Sequence, residues 1–147
     1  MNTPNTAQGE EASVRTVIAL WVDAIRRKDA PAVLSHVAAG YLHFSLAPPL
    51  IDVGAGATDL DAWFQTWEGP LELELRDLTV TAGDTVAFSH SLNRLAGDKR
   101  DFGRQELWYR CTLGFRKVGA AWKIAHEHES VPFYMDGSLR AAVDLTP

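Results

Sequence analysis

Four segments in the second half of the chain alternate between apolar and polar residues, and this pattern limits the possible folds more than any other feature. They span residues 71–82, 86–93, 106–116 and 122–131. A period of two is typical of a β-strand that buries one face. Short turns that contain glycine separate the segments, so consecutive strands are expected to pair antiparallel.

The first half of the chain is predicted to be mainly helical. Residues 10–28 carry apolar side chains at spacings of three and four, which gives a helix one apolar stripe. Asp29 is a candidate N-cap for a short second helix, with Pro31 in its first turn. Residues 41–46 are strand-like, and residues 58–66 form a third helix. This order predicts an α+β fold in which a curved, mostly antiparallel sheet packs on N-terminal helices and encloses a pocket.

A chain of 147 residues, 46% hydrophobic and 22% charged, has the size and composition of one globular domain. We expect a flexible N-terminus over residues 1–9, a single domain over 10–135 and a C-terminal tail over 136–147.

Charge and cysteine content exclude several classes of protein. The net charge of −5 and the lack of any basic run longer than Arg26–Lys28 argue against a nucleic-acid partner. No apolar run reaches the roughly 18 residues of a membrane helix, so no membrane partner is expected. Cys111 is the single cysteine, which excludes an internal disulfide and favours a reducing, cytoplasmic location.

Two histidines are the candidate catalytic residues. His126 and His128 lie two apart in the last predicted strand and therefore point to one face. Trp122 and Ile124 share that face, so we predict that it is the inner one. An imidazole there could act as a general base or acid. The alternative is a structural role in which the two rings satisfy each other or nearby carbonyl groups.

Further residues are predicted to line the same pocket. Ser130 lies two residues after His128 and is therefore predicted to point to the same face of the strand. His90 shares a face with Phe88 and Leu92, where it either reaches the pocket or is a hydrogen-bonded core residue. Trp21 and Trp63 lie on helices that cover the enclosed space, where they form either an aromatic wall for a flat apolar ligand or plain core.

A metal site is the less favoured interpretation of the histidines. His126 and His128 could supply two ligands, and His43, His90 or Glu106 a third. This spacing is a weak signal, so we predict neither a metal nor another cofactor.

The pattern of the third alternating segment, residues 106–116, predicts a subunit interface. Trp108 and Arg110 share the face opposite the apolar one, and a large aromatic beside arginine on an exposed sheet is typical of a subunit contact. Glu127 and Glu129 are predicted to lie on the matching face and to pair with Arg110. We therefore expect a homodimer through this convex face.

The order of elements resembles the nuclear transport factor 2-like superfamily, which includes ketosteroid isomerase and the SnoaL-like polyketide cyclases. Three segments carry the resemblance, which extends from Glu10 to Phe133: Trp21–Asp29, Trp108–Lys117 and, most specifically, Trp122–Phe133. The resemblance implies a cone-shaped half-barrel, a cystatin-like arrangement, with a pocket lined by the last strand.

The resemblance also places Tyr41, His43 and Ser45 on the inner face, whereas the neighbouring Phe44 argues that His43 points out. Steroid isomerisation needs a carboxylate base and an oxyanion hole of a tyrosine and a protonated aspartic acid. The corresponding positions fall on Ser45, Trp21 and Leu113, so the resemblance does not imply a true ketosteroid isomerase.

Together these features predict a protein that binds a small apolar or aromatic molecule. An isomerase-like, cyclase-like or dehydratase-like enzyme would transfer a proton through His126 or His128 on an apolar carbonyl or hydroxyl compound, with Trp21 or Ser45 as the polarising donor. The alternatives are a non-catalytic ligand-binding module and a dimeric interaction domain.

Overall fold

A computed structural model describes residues 4–54 and 56–147. Three helices lie in the first half of this part of the chain: α1 (Pro4–Arg26), α2 (Ala30–Ser35) and α3 (Ala57–Gln65). The strands are β1 (Val37–Phe44), β2 (Asp52–Val53), β3 (Trp67–Ala82), β4 (Val86–Lys99), β5 (Gly103–Val118) and β6 (Ala121–Ser130).

Helix α1 buries the apolar stripe that the sequence predicts. Val14, Ile18, Trp21 and Val22 are all buried in the core. The helix begins at Pro4, so residues 4–9 of the predicted flexible N-terminus are helical, while residues 1–3 lie outside the described residues. None of the helices in the described ranges is long and apolar enough to span a bilayer. The predicted domain limits stay a prediction.

The connection from α1 to α2 follows the predicted capping. Asp29 is the N-cap of α2, and its carboxylate accepts a hydrogen bond from the backbone N–H of Ala32 at 3.0 Å. Pro31 lies in the first turn, where its missing N–H costs no helical hydrogen bond. This cap turns the chain back so that β1 enters the sheet beside β6.

The six strands form one sheet in the order β2-β1-β6-β5-β4-β3. All neighbours pair antiparallel except β1 and β6, which are parallel. The register is irregular at two places in β3 and once each in β1 and β6, and such irregularities bend a sheet. The predicted α+β class with a curved, mostly antiparallel sheet on N-terminal helices is confirmed.

The inner face of β4, the face towards α1, differs from the prediction. Ala87, Ser89, Ser91 and Asn93 are buried, whereas Phe88 is 48% exposed on the other face. The bulky inner residues of β5 lie opposite these small side chains in the register, so little volume remains for larger groups on β4. The buried hydroxyl of Ser91 donates to the Asn93 side chain at 2.6 Å. The prediction that His90 lies on the inner face is therefore wrong.

A second difference lies in β6, where one extra residue interrupts the alternation. Ile124 pairs with Phe115 and His126 pairs with Gly114, so Ala125 has no partner across the strand pair. This is a β-bulge, in which two residues of one strand occupy the place of one. Because side chains alternate with a period of two, every residue after the bulge changes face.

Because of the bulge, the glutamates of this segment point to the inner face and the histidines point to the outer face. Trp122 and Ile124, before the bulge, are buried in the core as predicted. After it, Glu127 is 6% exposed on the inner face and His128 is exposed on the outer face. The predicted inward orientation of His126 and His128 is therefore wrong.

Gly97 of β4 allows a test of how tightly the core is packed. A Cβ atom there would lie 3.1 Å from Trp67 Cε3 and 3.3 Å from Leu71 Cδ2, and both side chains are buried. We expect Gly97→Val to lower the free energy of unfolding by about 1–3 kcal/mol, measured by urea denaturation. In the control variant Gly9→Ala nothing lies within 4 Å of the new Cβ. That variant is expected to be neutral or stabilising by up to about 1 kcal/mol. A neutral Gly97→Val would contradict the packing.

Candidate functional site

The helices and the inner face of the sheet enclose a cavity of about 400 Å³. Its walls are largely apolar, with Trp21, Ile25, Leu60, Trp63 and Leu73 among the lining residues. The segment 45–49, which follows β1, forms one side of the cavity. This volume falls within the range of pockets that bind small molecules in other proteins.

Four polar side chains meet at the wall of this cavity, and we call them the carboxyl–imidazole cluster: Tyr41, His43, Glu127 and Glu129. Strand β1 supplies the first two, and β6 supplies the glutamates beyond its bulge. The parallel pairing sets His43 beside Glu127 in the register. The cluster therefore depends on two strands that are far apart in the sequence.

The distances within the cluster are those of hydrogen bonds and close ion pairs. His43 Nε2 lies 3.1 Å from the carboxylate of Glu129 and 3.8 Å from that of Glu127. The hydroxyl of Tyr41 donates to the carboxylate of Glu127. The imidazole of His43 thus contacts two carboxyl groups in the wall of an apolar cavity.

The environment of Glu127 favours its neutral form. Burial raises the pKa of this carboxyl, and the negative charge of Glu129 raises it further. The positive charge of His43 and the hydrogen bond from Tyr41 oppose these effects without cancelling them. Glu127 therefore holds its proton at a pH where an exposed glutamate would be ionised.

The imidazole of His43 experiences opposing influences. Burial disfavours its charged form, but the hydrogen bond with Glu129 and the negative charges of Glu127, Glu129 and Asp52 favour it. The pKa of His43 is raised as a result. The charged form of this imidazole is therefore favoured more than in an exposed histidine.

Two hydroxyl groups and one thiol near the cluster stay protonated. Burial raises the pKa of Tyr41 and Tyr109, and the nearby glutamates raise both further. Tyr109 lines the cavity and shares a hydrogen bond with the side chain of Asn93. Burial also raises the pKa of Cys111, which is the property of a core residue and not of a reactive thiol.

The cluster is also compact enough for a divalent cation to be considered. One ligand atom each of His43, Glu127 and Glu129 lies within 4.8 Å of the others, and this is the one such group in residues 4–54 and 56–147. However, Tyr41 donates to Glu127 and His43 bonds to Glu129. The protein's own groups therefore already engage these oxygens.

Three of the predicted pocket residues lie in the cavity wall: Trp21, Ser45 and Trp63. The hydroxyl oxygen of Ser45 accepts a hydrogen bond from the backbone N–H of Ala47 at 3.2 Å. His43 faces inward, which settles the alternative that the sequence leaves open. The roles of these residues in binding stay predictions.

The two predicted catalytic histidines lie on the outer face, the sheet face opposite α1. His126 Nδ1 lies 2.8 Å from the carbonyl oxygen of Leu42, and the His126 ring packs edge-on against Phe44. His128 is exposed and also packs against Phe44, with ring centroids 5.2 Å apart. Neither lines the cavity, because the bulge turns both away from it.

The pocket predictions for Ser130 and His90 are also wrong, because both side chains lie on the outer face of the sheet. Ser130 follows the bulge, and its hydroxyl accepts a hydrogen bond from Arg110 Nε on the outer face at 3.1 Å. His90 is exposed on that face as well. The less favoured metal set is not brought together either, because no possible metal group in residues 4–54 and 56–147 contains His126 or His128.

The residues that sequence analysis missed are Tyr41, Glu127, Glu129 and Asp52. One available signal was the alternation of Tyr41, His43 and Ser45, which places three polar groups on one face of a predicted strand. The glutamates have the same two-residue spacing as the histidines. Periodicity alone therefore could not choose between the two pairs.

The outer face carries Trp108 and Arg110 as predicted. The guanidinium of Arg76 lies 5.1 Å from the centre of the Trp108 ring, a cation–π contact. The predicted pairing of Arg110 with Glu127 and Glu129 is wrong, because both glutamates point into the cavity.

With this geometry in place, the comparisons with known proteins identify the family. The family model described as a SnoaL-like domain matches residues 14–134. The chain belongs to the SnoaL-like domain family. No curated protein sequence matches this SnoaL-like chain.

Solved structures support the SnoaL-like assignment. An NTF2-like protein of unknown function from Pseudomonas putida is 31% identical, with a TM-score of 0.85 over 96% of this chain and 99% of that chain. A ketosteroid isomerase-like protein from Erwinia carotovora is 20% identical, with a TM-score of 0.66 over 82% and 95%. The association domain of C. elegans CaMKII is 14% identical, with a TM-score of 0.68 over 86% and 99%. The predicted resemblance to the NTF2-like superfamily is confirmed, and the two more distant structures share the fold alone.

The raised pKa values of Glu127 and His43 make the stability of this SnoaL-like protein depend on pH. Both groups bind protons more tightly in the folded state than in the unfolded state. Their contribution is therefore complete below the ordinary values of 4.5 and 6.5 and falls as the pH rises through the folded-state values. We expect urea denaturation to show a loss of up to about 1.4 kcal/mol per pH unit for each extra proton.

In Glu127→Gln the part of this slope that comes from Glu127 should disappear. The exposed control variant Glu74→Gln should retain the full dependence. A slope unchanged in Glu127→Gln would mean that this carboxyl is ionised in the folded protein.

Proposed function

We propose that the chain is an enzyme that transfers a proton to or from a small, mostly apolar carbonyl or hydroxyl compound. The observation that carries the proposal is the contact between His43 and the carboxyl groups of Glu129 and Glu127, at 3.1 and 3.8 Å, in the wall of the apolar cavity. A base, a proton reservoir and a binding space of the right size are thus in contact.

In this mechanism Glu129 is the proton acceptor. One of its carboxyl oxygens lies 3.1 Å from His43 Nε2, so the imidazole holds this side chain in the cavity wall. Once Glu129 has taken a proton from the bound compound, Glu127 or His43 can return one to another atom of it. The proposed base is therefore a carboxylate, whereas the sequence analysis predicted one of two histidines.

Hydroxyl groups near the cluster supply the polarising hydrogen bonds. Tyr109 stays protonated, because its burial raises its pKa. Ser45 accepts a bond from a backbone N–H, which leaves its own hydrogen for an acceptor in the cavity. A carbonyl oxygen bound near these donors would have its developing negative charge stabilised by their hydrogen bonds.

A relationship to steroid isomerisation is supported by the ketosteroid isomerase-like relative only at the level of the fold. The position expected for a protonated acid is Leu113, which is buried among apolar residues. We therefore propose proton transfer as the reaction class and do not propose a steroid as the substrate.

The alternative is a non-catalytic ligand-binding module that uses the same cavity. The predominance of apolar and aromatic lining residues supports this alternative, since such a wall binds without chemistry. The two functions differ in whether Glu129 removes a proton from a bound compound.

Deuterium incorporation next to the carbonyl of tetralone, in D₂O and followed by NMR, separates them. We expect the protein to accelerate this exchange, because Glu129 would remove the acidic proton and return a deuteron. Glu129→Gln should lower the rate by at least about 100-fold, since an amide cannot act as the base. Glu74→Gln, an exposed change outside the cavity, should leave the rate unchanged. Tetralone that binds but exchanges no faster than in buffer would contradict the enzyme and leave the binding module.

We further propose a homodimer through the outer face, in the cytoplasm. Trp108 and Arg110 support the interface, with Arg76 stacked on the Trp108 ring. Val86, 64% exposed, and Phe88 add apolar area to the same face. One structural relative is an association domain, which is a property of that protein and serves here only as support. The single cysteine, Cys111, is a buried free thiol, in keeping with a reducing compartment.

The interface can be tested by size-exclusion chromatography with light scattering. Trp108→Ala and Arg110→Glu should convert the dimer to a monomer, because each removes a central contact of the proposed interface. Leu20→Ala is a matched control, since Leu20 is an exposed apolar side chain on α1 and lies away from this face. A dimer that survives both outer-face changes would place the interface elsewhere.

A further inference from the structure

We propose that the compound bound in the cavity carries a protonated amine or quaternary ammonium group on an apolar, ring-containing body. The inference rests on the proposed function in one respect, that this cavity is the ligand site. It adds the charge of the ligand, which the reaction class does not specify.

The charge of the lining is the first argument. Four carboxyl side chains line the cavity, from Asp52, Asp59, Glu127 and Glu129, against a single imidazole, that of His43. Among the described residues no lysine or arginine lines it. Even with a proton on Glu127 and a positive charge on His43, three carboxylates face one imidazolium. Coulombic energy in such a partly enclosed space disfavours an anion and favours a cation.

The basic residues at the end of α1 and in β4 do not offset this charge. Arg26 and Lys28 bond to the backbone carbonyl oxygens of Leu73 and Trp67. Lys99 donates to the hydroxyl of Thr66 at 2.6 Å. None of the three lines the cavity, and Lys99 Nζ lies 4.4 Å from the centre of the Trp67 ring, which is part of the wall. The negative charge of the cavity therefore has no counterion among them.

The aromatic lining is the second and independent argument. Five aromatic side chains line the cavity: Trp21, Tyr41, Trp63, Trp67 and Tyr109. The rings of Trp63 and Trp67 meet nearly edge to face at 6.1 Å, so the two indoles do not present parallel faces. Aromatic walls of this kind attract an ammonium group through the negative faces of the rings and bind the hydrocarbon body of the same molecule.

The placement of the two glutamates fits the same ligand. Glu127 and Glu129 both lie in the cavity wall, and their mutual repulsion contributes to the raised pKa of Glu127. A protonated amine bound beside them would offset this repulsion and could donate hydrogen bonds to both carboxyl groups. A neutral alcohol or ketone carries no charge that could do so. The cavity is therefore expected to discriminate between ligands by charge as well as by shape.

Three probes on one ring skeleton test the inference by isothermal titration calorimetry at neutral pH: aminotetralin, tetralol and tetralin carboxylate. They differ in charge and share the same apolar body. We expect aminotetralin to bind at least about tenfold more tightly than tetralol, and the carboxylate to bind most weakly.

Variants then assign the preference to the cavity. Glu129→Gln should weaken aminotetralin by about tenfold and change tetralol little, because it removes charge and keeps shape. Asp52→Asn should act in the same direction with a smaller effect, of about threefold. Asp61→Asn is the control, since Asp61 is an exposed carboxylate that does not line the cavity.

The outcomes separate this inference from the proposed function. If tetralol or the carboxylate binds as tightly as aminotetralin, the proposed positive charge of the ligand is wrong, while the cavity remains the ligand site. If none of the three probes binds, the cavity is not a ligand site and both proposals fall. Deuterium exchange into tetralone reports on the proton-transfer chemistry independently of the charge preference.

Discussion

One unpaired residue in β6 determines what the cavity contains. Ala125 shifts the alternation of the strand, so that Ile124 points into the core and Glu127 also points inward. Without the bulge the same segment would present two imidazoles to the cavity and two carboxylates to the outer face. The carboxyl–imidazole cluster and the two β6 carboxyl groups in the cavity wall both depend on this local change of register.

The cluster is stable because its members compensate one another. A buried carboxylate is costly unless a charge or a proton accompanies it, and Glu127 accepts a hydrogen bond from Tyr41 with His43 close by. Strand β1 provides Tyr41 and His43 only because it pairs in parallel with β6.

The general architecture was predictable, and the detailed orientation was not. The order of helices and strands, the α1 stripe, the Asp29 cap and the resemblance to the NTF2-like superfamily all agree with the structure. In β4 the apolar alternation pointed to the wrong face, because the neighbouring strand leaves room only for small side chains such as Ser89. Hydrophobic periodicity reports which residues share a face, and packing against neighbours decides which face is buried.

The sequence by itself determined the fold class, the number of long strands and a set of polar pairs with two-residue spacing. Local propensity and periodicity suffice for these features, because they depend on residues close together in the chain. Only the tertiary structure decided which pair enters the cavity and where His43 points. These choices depend on the register between β1, β5 and β6, which no single strand specifies alone.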